Sequence, residues 1–193
     1  PLCAPARSSL QTGLYPSQNG VFKNGLPIRE DIPRLAGYFN GAGYKTGYIG
    51  KWHLGGIDPG FDGNQAPVPA DRRGEYQYWL GADLPEFMSD AYDAKLFDAD
   101  DTLVHLPGYR VDAYTDAAVN FININKQNHF YLFLSYLEPH HQNTRDDYPA
   151  PMDYEKTNGG NEWIPPEVAE LKRSTYQHFL GYLGMIKRIG EAL

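Results

Sequence analysis

The stretch Phe130-Tyr131-Leu132-Phe133-Leu134-Ser135-Tyr136-Leu137 decides the fold of this 193-residue chain. It is apolar almost throughout, which is typical of a parallel strand buried on both faces by helices. A helix is predicted immediately before it, from Asp112 to about Asn125, and a long helix after it, from near Pro166. The expected buried face of the earlier helix comprises Tyr114, Ala117, Ala118, Phe121 and Ile122. The later helix carries an apolar stripe that predicts core packing, namely Val168, Leu171, Thr175, Phe179, Tyr182, Ile186, Ile189 and Leu193.

A second strand, Tyr44 to Ile49, is predicted nearer the start of the chain, behind another helix. Asp31 is expected to cap that helix and Pro33 to lie in its first turn. The helix is marked by apolar residues at helical spacing, Ile32, Leu35, Ala36 and Phe39, and ends at Asn40-Gly41-Ala42-Gly43. This alternation of helices and strands predicts an α/β fold with a mostly parallel sheet flanked by helices.

Residues 56–110 are rich in Gly, Pro, Asp and Tyr, and we interpret them as an irregular insert. Within the insert we predict one short hairpin, Lys95 to Phe97 and Thr102 to Leu106, around the acidic turn 98–101. An aromatic group accompanies it, Tyr76, Tyr78 and Trp79 together with Trp163. These rings could stack on a sugar face or cover the edge of the core, and the second interpretation is favoured. Residues 143–166 are predicted to form a polar loop.

Composition limits the classes of partner. The net charge is −7 and no Lys/Arg run is present, which argues against nucleic acid as the main partner. The single cysteine excludes an internal disulfide framework. No apolar run approaches the roughly 18 to 20 residues of a membrane span. Because the chain begins Pro1-Leu2-Cys3 and ends at Leu193 inside a helical pattern, we expect it to be an internal fragment, incomplete at both ends.

Cys3 lies in the segment Cys3-Ala4-Pro5-Ala6-Arg7, for which a helix is predicted from Pro5 to about Thr12, ended by Gly13. A cysteine just before a helix N-terminus faces the positive end of the helix dipole, which suits an anionic ligand. The commonest alternative for a lone cysteine is a small buried hydrophobe. The segment resembles the core signature of the formylglycine sulfatases, Cys-x-Pro-x-Arg followed by Thr-Gly.

Two further segments carry the same resemblance. Gly50-Lys51-Trp52-His53-Leu54-Gly55 is similar to the Gly-Lys-Trp-His-Leu-Gly block of that family, and Pro139-His140 resembles its Pro-His element. Both follow predicted strands, at the end where ligand sites of open α/β sheets collect. Lys51 and His53 alternate, so on an extended strand end they would share a face. The resemblance extends over the whole chain and implies a partial sulfatase catalytic domain, residues 1–193, with an alkaline-phosphatase-like fold.

The resemblance also implies a mechanism. A formylglycine-generating enzyme would oxidise Cys3 to an aldehyde, whose hydrate attacks sulfur and afterwards expels sulfate. Arg7, one helical turn later, would lie beside the hydrate. Lys51 would neutralise a sulfuryl oxygen, and His53 would hold or deprotonate the hydrate. His140 would bind the sulfate and protonate the leaving oxygen.

The remaining histidines have less defined expectations. His141 could join His140 in substrate binding, and two adjacent histidines alone make a weak metal site. His105, His129 and His178 are interpreted as structural.

The family also holds calcium, through an Asp-Asp pair before the signature and an Asp-Asn pair after the last helix. Calcium prefers such oxygen ligands. Neither pair matches this sequence, and the aspartates present, Asp98, Asp100, Asp101, Asp146 and Asp147, are not assigned as ligands. In this chain the resemblance leaves only Cys3, as formylglycine, near the metal, and residues 1–193 alone are expected to be inactive. Two other departures are Ala6, where serine is common, and Gln142, where proline is usual.

Several alternatives stay open. A phosphonate or phosphate monoester hydrolase of the same superfamily would act on a group of similar shape and higher charge. A cysteine phosphatase is disfavoured because its arginine follows the cysteine by six positions rather than four. A sugar-binding or scaffold relative without the modification is the non-catalytic alternative. The expected substrate is a sulfate ester of a carbohydrate or of an aryl or alkyl alcohol. The resemblance implies a periplasmic or secreted protein, and the residues themselves leave a cytoplasmic location open.

Overall fold

The computed structural model describes residues 2–57, 66–142, 147–152, 154, 165–169 and 173–193, and the side chains of 168, 169 and 173–177 are not included in that description. The helices and strands, in chain order, are α1 (Cys3–Thr12), α2 (Pro16–Asn19), α3 (Leu35–Gly41), β1 (Lys45–Lys51), β2 (Tyr78–Ala82), β3 (Ala94–Asp98), β4 (Leu103–Leu106), α4 (Arg110–Asn125), β5 (Phe130–Ser135), α5 (Pro166–Ala169) and α6 (Arg173–Ala192). Two short 3₁₀ turns, Ala70–Arg72 and Pro85–Phe87, flank β2.

The five described strands form one sheet in the order β4-β3-β2-β1-β5. Strands β2, β1 and β5 are parallel, and the pairs β2–β3 and β3–β4 are antiparallel. The prediction of an α/β fold with helices against a sheet is confirmed. The predicted hairpin also forms, and Asp98 stabilises its turn by accepting the N–H groups of Asp100 and Thr102, each at 2.9 Å.

The interpretation of residues 56–110 as an irregular insert with one hairpin missed β2, which lies between β1 and β3 in this segment. Strand β2 is short and contains Gly81, so its pattern is weak beside the surrounding turn residues. Trp79 and Tyr76 are buried against Tyr48 and Trp52 in one aromatic cluster, with ring centroids 4.9 to 6.2 Å apart. These rings therefore pack the core, as favoured, while Trp163 and most of 143–166 lie outside the described residues.

Strand β5 is shorter and less buried than expected. It ends at Ser135 rather than Leu137, and its first five residues are only partly buried. The reason is its place at the edge of the described sheet, where just one neighbouring strand covers it.

The helix predicted to start near Asp31 begins at Leu35, so Asp31 is not its cap. The Asp31 carboxylate instead accepts the Nε–H of Arg29 at 2.9 Å. On α4 the expected face is correct for Tyr114, Ala118 and Phe121, which are buried.

Ile122 of α4, in contrast, is 40% exposed, and the helix begins at Arg110 rather than Asp112, with Arg110 and Val111 both buried.

The buried face of α6 differs from the predicted stripe. Tyr182 and Ile186 are exposed, whereas Gly181, Gly184 and Met185 are buried. The two glycines allow residues 148–150 to approach, since a Cβ at Gly181 would lie 2.2 Å from the carbonyl oxygen of Tyr148. Close backbone contact, rather than a stripe of large side chains, therefore determines this face.

Gly50 is a position where replacement should destabilise the fold strongly. Its φ is +107°, and an added Cβ would lie 1.9 Å from the backbone oxygen of Ser135 on β5. We expect Gly50→Ala in the full-length protein to lower the free energy of unfolding by about 3 kcal/mol or more. The matched control is Gly41→Ala, which meets nothing within 4 Å and should change it by less than about 1 kcal/mol. Equal urea midpoints for the two variants would contradict this account.

Candidate active site

Helix α1 places the only cysteine of the chain at its first residue. Leu2 is extended before it, Pro5 lies in the first turn, and Gly13 ends the helix at φ 70°, as the sequence predicts. The side chain of Asn24 accepts the N–H of Ala4 at 3.0 Å and so satisfies one of the open donors at the helix start. This role of Asn24 could not be predicted from the sequence, because Asn24 lies 20 residues further along the chain. Cys3 itself is a partly buried free thiol.

A cavity of about 540 Å³ opens beside Cys3, at the carboxyl ends of β1 and β5. Four of the six residues predicted for the site line it: Cys3, Arg7, Lys51 and His140. The rest of the wall is largely apolar and includes Leu10, Phe133, Tyr136 and Ile189. The structure thus brings together residues from positions 3 to 140 at one edge of the sheet, where open α/β sheets hold ligands.

Arg7 links α1 to both strands. Its Nη1 donates to the carbonyl oxygen of Lys51 at 2.6 Å and to Oγ of Ser135 at 2.7 Å. The same carbonyl accepts the hydroxyl of Ser135 at 2.8 Å and that of Tyr48. These bonds fix the guanidinium at the cavity wall, one helical turn after Cys3.

Lys51 is buried, and its ammonium forms an ion pair with Glu86 in the 3₁₀ turn after β2. Burial lowers the pKa of Lys51, while the neighbouring Glu86 carboxylate opposes that shift. The positive charge of Lys51 is therefore largely compensated by the Glu86 carboxylate, which is not part of the cavity wall. The role of Glu86 could not be predicted from local sequence, because Glu86 is placed by β2, a strand that was not predicted.

His53 does not share a strand face with Lys51, because β1 ends at Lys51 and His53 adopts the left-handed conformation with φ 58°. It is buried but is not part of the cavity wall, and neither ring nitrogen has a hydrogen-bond partner among the described residues. Burial first, and then the positive charges of Lys51, Arg7 and His140, lower the pKa of His53 to about 3. The imidazole is therefore neutral at physiological pH.

His140 and Cys3 both line the cavity, and each shifts the pKa of the other. The His140 side chain is the main reason that the pKa of Cys3 is lowered, and the Cys3 side chain is the main reason that the pKa of His140 is raised. Nδ1 of His140 lies 2.7 Å from the carbonyl oxygen of His141. The unmodified thiol and His140 are thus neighbours at the cavity.

His141 points elsewhere. Its ring packs edge-on against Tyr148, with centroids 5.2 Å apart, and it is not part of the cavity wall. The other three histidines lie away from the cavity, His105 near Asp93, His129 beside Tyr44 and His178 beside Tyr148.

The described residues do not fit a calcium site. They contain no group of three or more His, Cys, Asp or Glu side chains arranged to hold a metal. The carboxylate of Glu138, which lines the cavity, is paired with Arg110, and that of Glu86 is paired with Lys51. Asp83 uses its carboxylate to accept the N–H groups of Gly55 and Ile57.

The sheet with its flanking helices defines an α/β protein. The family model described as Sulfatase matches residues 1–193, and the chain belongs to that family.

Among curated proteins, an uncharacterized sulfatase, YidJ, of Escherichia coli K12 is 30% identical over 164 residues, covering 80% of this chain and 31% of the relative. An N-acetylglucosamine-6-O-sulfatase of Bacteroides thetaiotaomicron is 29% identical over 171 residues, covering 88% and 26%.

Two solved structures share the fold. A protein from a study of glycosaminoglycan metabolism by Bacteroides thetaiotaomicron superimposes with a TM-score of 0.76 at 20% identity, covering 100% of this chain and 46% of that one. A phosphonate monoester hydrolase from Silicibacter pomeroyi gives 0.58 at 22% identity, covering 100% and 48%. This chain therefore spans less than half the length of each of these four proteins. Among its described residues, no helix is long and apolar enough to cross a membrane.

Proposed function

We propose that this chain forms the nucleophile side of the active site in a sulfatase that hydrolyses a sulfate monoester, with Cys3 converted to formylglycine. The observation that carries the proposal is the convergence of Cys3, Arg7, Lys51 and His140 on one cavity. A hydrated aldehyde at position 3 would supply both the attacking hydroxyl and a second hydroxyl that allows sulfate to leave. The position suits that group, because Cys3 lies at a helix start and faces His140.

In this proposal the sulfuryl oxygens are stabilised by fixed positive groups at the cavity wall. The N-terminal end of α1 and the Arg7 guanidinium lie on the nucleophile's own helix, and Lys51 lies across the cavity. Because Arg7 is held by two hydrogen bonds to neighbouring strands, its position costs no reorganisation when the ester binds.

His140 and His53 have different roles in the proposal. His140 borders the cavity, so it can donate a proton to the leaving alcohol oxygen. Because its pKa is lowered, the imidazole of His53 is neutral at physiological pH, and neither ring nitrogen has a hydrogen-bond partner among the described residues. His53 is therefore assigned to holding the hydrate, by accepting a hydrogen bond from position 3.

Calcium is part of what the family resemblance implies, and we assign it no step, because the described residues do not fit it. Its ligands are expected outside this chain. His141 is proposed to support the loop that carries His140 rather than to contact the ester, since its ring packs on Tyr148.

The proposed substrate is a sulfated saccharide. The name of one relative, an N-acetylglucosamine-6-O-sulfatase, supports this class. The phosphonate hydrolase of the same fold shows that the fold itself allows another ester. The Lys51–Glu86 ion pair favours the sulfate, because a compensated lysine offers less positive charge to a phosphoryl group, which is more highly charged than a sulfuryl group.

The test uses the full-length protein co-expressed with a formylglycine-generating enzyme. The Cys3 peptide is first checked for aldehyde mass, and 4-nitrophenyl sulfate is then compared with 4-nitrophenyl phosphate and a 4-nitrophenyl phosphonate. We expect kcat/KM for the sulfate to exceed the other two by about 100-fold, or nearly 3 kcal/mol of transition-state stabilisation. A preference for the phosphonate would support the alternative hydrolase. Aldehyde mass without turnover of any ester would reject hydrolysis of this class, and a persistent thiol would support the non-catalytic relative.

A further inference from the structure

Arg110 is a fully buried arginine that lies behind the cavity and does not border it. It is the first residue of α4, and its backbone N–H donates to the carbonyl oxygen of Ala91 at 2.7 Å. Its side chain bonds to one residue before His140 and to one residue after it. Nε donates to Oε1 of Glu138 at 2.8 Å, and Nη1 donates to Oε1 of Gln142 at 3.2 Å.

Gln142 extends this network to the residue that pairs with Lys51. Its amide Nε2 donates to the carbonyl oxygens of Glu86 and Ser89, at 3.1 and 3.0 Å. The carboxylate of the same Glu86 forms the ion pair with Lys51. Arg110 is therefore linked to two residues of the cavity wall. It bonds to Glu138 and Gln142, which flank His140 in the chain. It is linked to Lys51 through Gln142 and Glu86.

The charges of this network are balanced and buried. Arg110 and Lys51 supply two cations, Glu138 and Glu86 supply two anions, and all four are at most 5% exposed. Buried ion pairs contribute little net stability compared with apolar packing, because desolvation offsets their attraction. Two such pairs, with a glutamine between them, therefore add little stability to the core, and what they provide is a fixed geometry of the side chains.

We propose that Arg110 is a positioning residue. Its hydrogen bonds to Glu138 and Gln142, on either side of His140, hold His140 and Lys51 in place near Cys3. The inference rests on the proposed sulfatase function for its catalytic consequence. Arg110 touches no reacting atom and acts through Glu138 and Gln142.

The test compares Arg110→Met, Arg110→Lys and Glu138→Gln in the full-length protein with the wild type. Misplacing a catalytic group by about 1 Å costs on the order of 100-fold in rate, so we expect kcat to fall about 100-fold for Arg110→Met with KM changed less than about threefold. Arg110→Lys can pair with Glu138 but cannot also reach Gln142 as a fork, so partial recovery is expected. Glu138→Gln keeps the side-chain shape and should lower kcat about 10-fold. This variant tests the proposal even if Arg110→Met fails to fold.

Arg73→Met is the matched control. Arg73 is also buried and donates to the carbonyl oxygens of Val68 and Ala99, which belong to other loops. It should lower Tm as Arg110→Met does and leave kcat per folded molecule within about twofold. Equal losses of kcat per folded molecule in the two buried-arginine variants would overturn the proposal, because the loss would then follow from removal of any buried arginine.

A second measurement does not depend on turnover. The unmodified proteins, verified by thiol mass at Cys3, are treated with iodoacetamide, and alkylation of the Cys3 peptide is followed. Since His140 borders the same cavity and is the main reason for the lowered pKa of Cys3, Arg110→Met should slow alkylation at pH 7 severalfold, towards the rate of His140→Ala. General loosening would instead speed it. Unchanged alkylation in Arg110→Met overturns the positioning role even in an active enzyme. Slowed alkylation in a protein that hydrolyses no ester would uphold positioning and reject the proposed function.

Discussion

Replacing Cys3 by alanine in the full-length protein is expected to reduce turnover of a sulfate monoester by about 10⁴-fold or more, the scale on which loss of a nucleophile acts. Alanine keeps Cβ but lacks the Sγ that the modifying enzyme removes when it oxidises Cβ to the aldehyde, and the cavity residues cannot substitute for that aldehyde. The measurement is kcat with 4-nitrophenyl sulfate at saturating concentration. Cys3→Ser should be equally inactive in steady turnover, because one hydroxyl can attack but no second hydroxyl can expel sulfate.

The fold should survive this change. Cys3 is partly buried at the first turn of α1, so we expect Tm to fall by no more than a few degrees. Ser9→Ala is the control on the same helix, since Ser9 donates only to the carbonyl oxygen of Pro5. Its activity should lie within about twofold of wild type. More than about 1% activity in a folded Cys3→Ala protein would reject position 3 as the nucleophile.

Replacing His140 by alanine should slow hydrolysis by about 10²- to 10⁴-fold for esters of poorly acidic alcohols, such as sugar hydroxyls. The reason is the loss of the acid that protonates the leaving oxygen. A 4-nitrophenol leaving group needs little protonation, so its ester should lose far less. The diagnostic quantity is therefore the ratio of the two losses, measured on a saccharide sulfate and on 4-nitrophenyl sulfate with one preparation of each variant.

The neighbouring histidine provides the control. His141→Ala removes a ring that packs on Tyr148 and does not border the cavity, so both esters should be affected equally and by less than about tenfold. Equal losses for the two esters in His140→Ala would contradict the role of His140 as general acid. A larger loss in His141→Ala than in His140→Ala would transfer that role to the neighbour.

Much of the site could be predicted from the sequence because its residues lie at or near the ends of helices and strands, which local signals mark. Cys3 begins a helix that Pro5 and Gly13 delimit, and Lys51 and His140 follow apolar strands, so local rules are enough to place them. The carboxyl ends of parallel strands necessarily meet, which explains how residues so distant in sequence share one cavity.

The features that were missed depend on long-range contacts. Strand β2 is five residues long and contains Gly81, and it becomes a strand because β1 and β3 both offer partners. Glu86 could not be found without it. His53 was placed wrongly on an extended strand, because no local signal announces its turn into the left-handed region. Arg110 was outside the predicted helix, and its partners are 28 and 32 residues away.

The aromatic cluster of Tyr48, Trp52, Tyr76 and Trp79 has a practical consequence. Two of the three tryptophans of the chain lie in it, and Trp52 also forms part of the cavity wall. Light absorbed there is emitted from beside the place where an ester would bind. The intrinsic fluorescence of the protein should therefore serve as a label-free signal for ligand titrations and for stopped-flow records of occupancy.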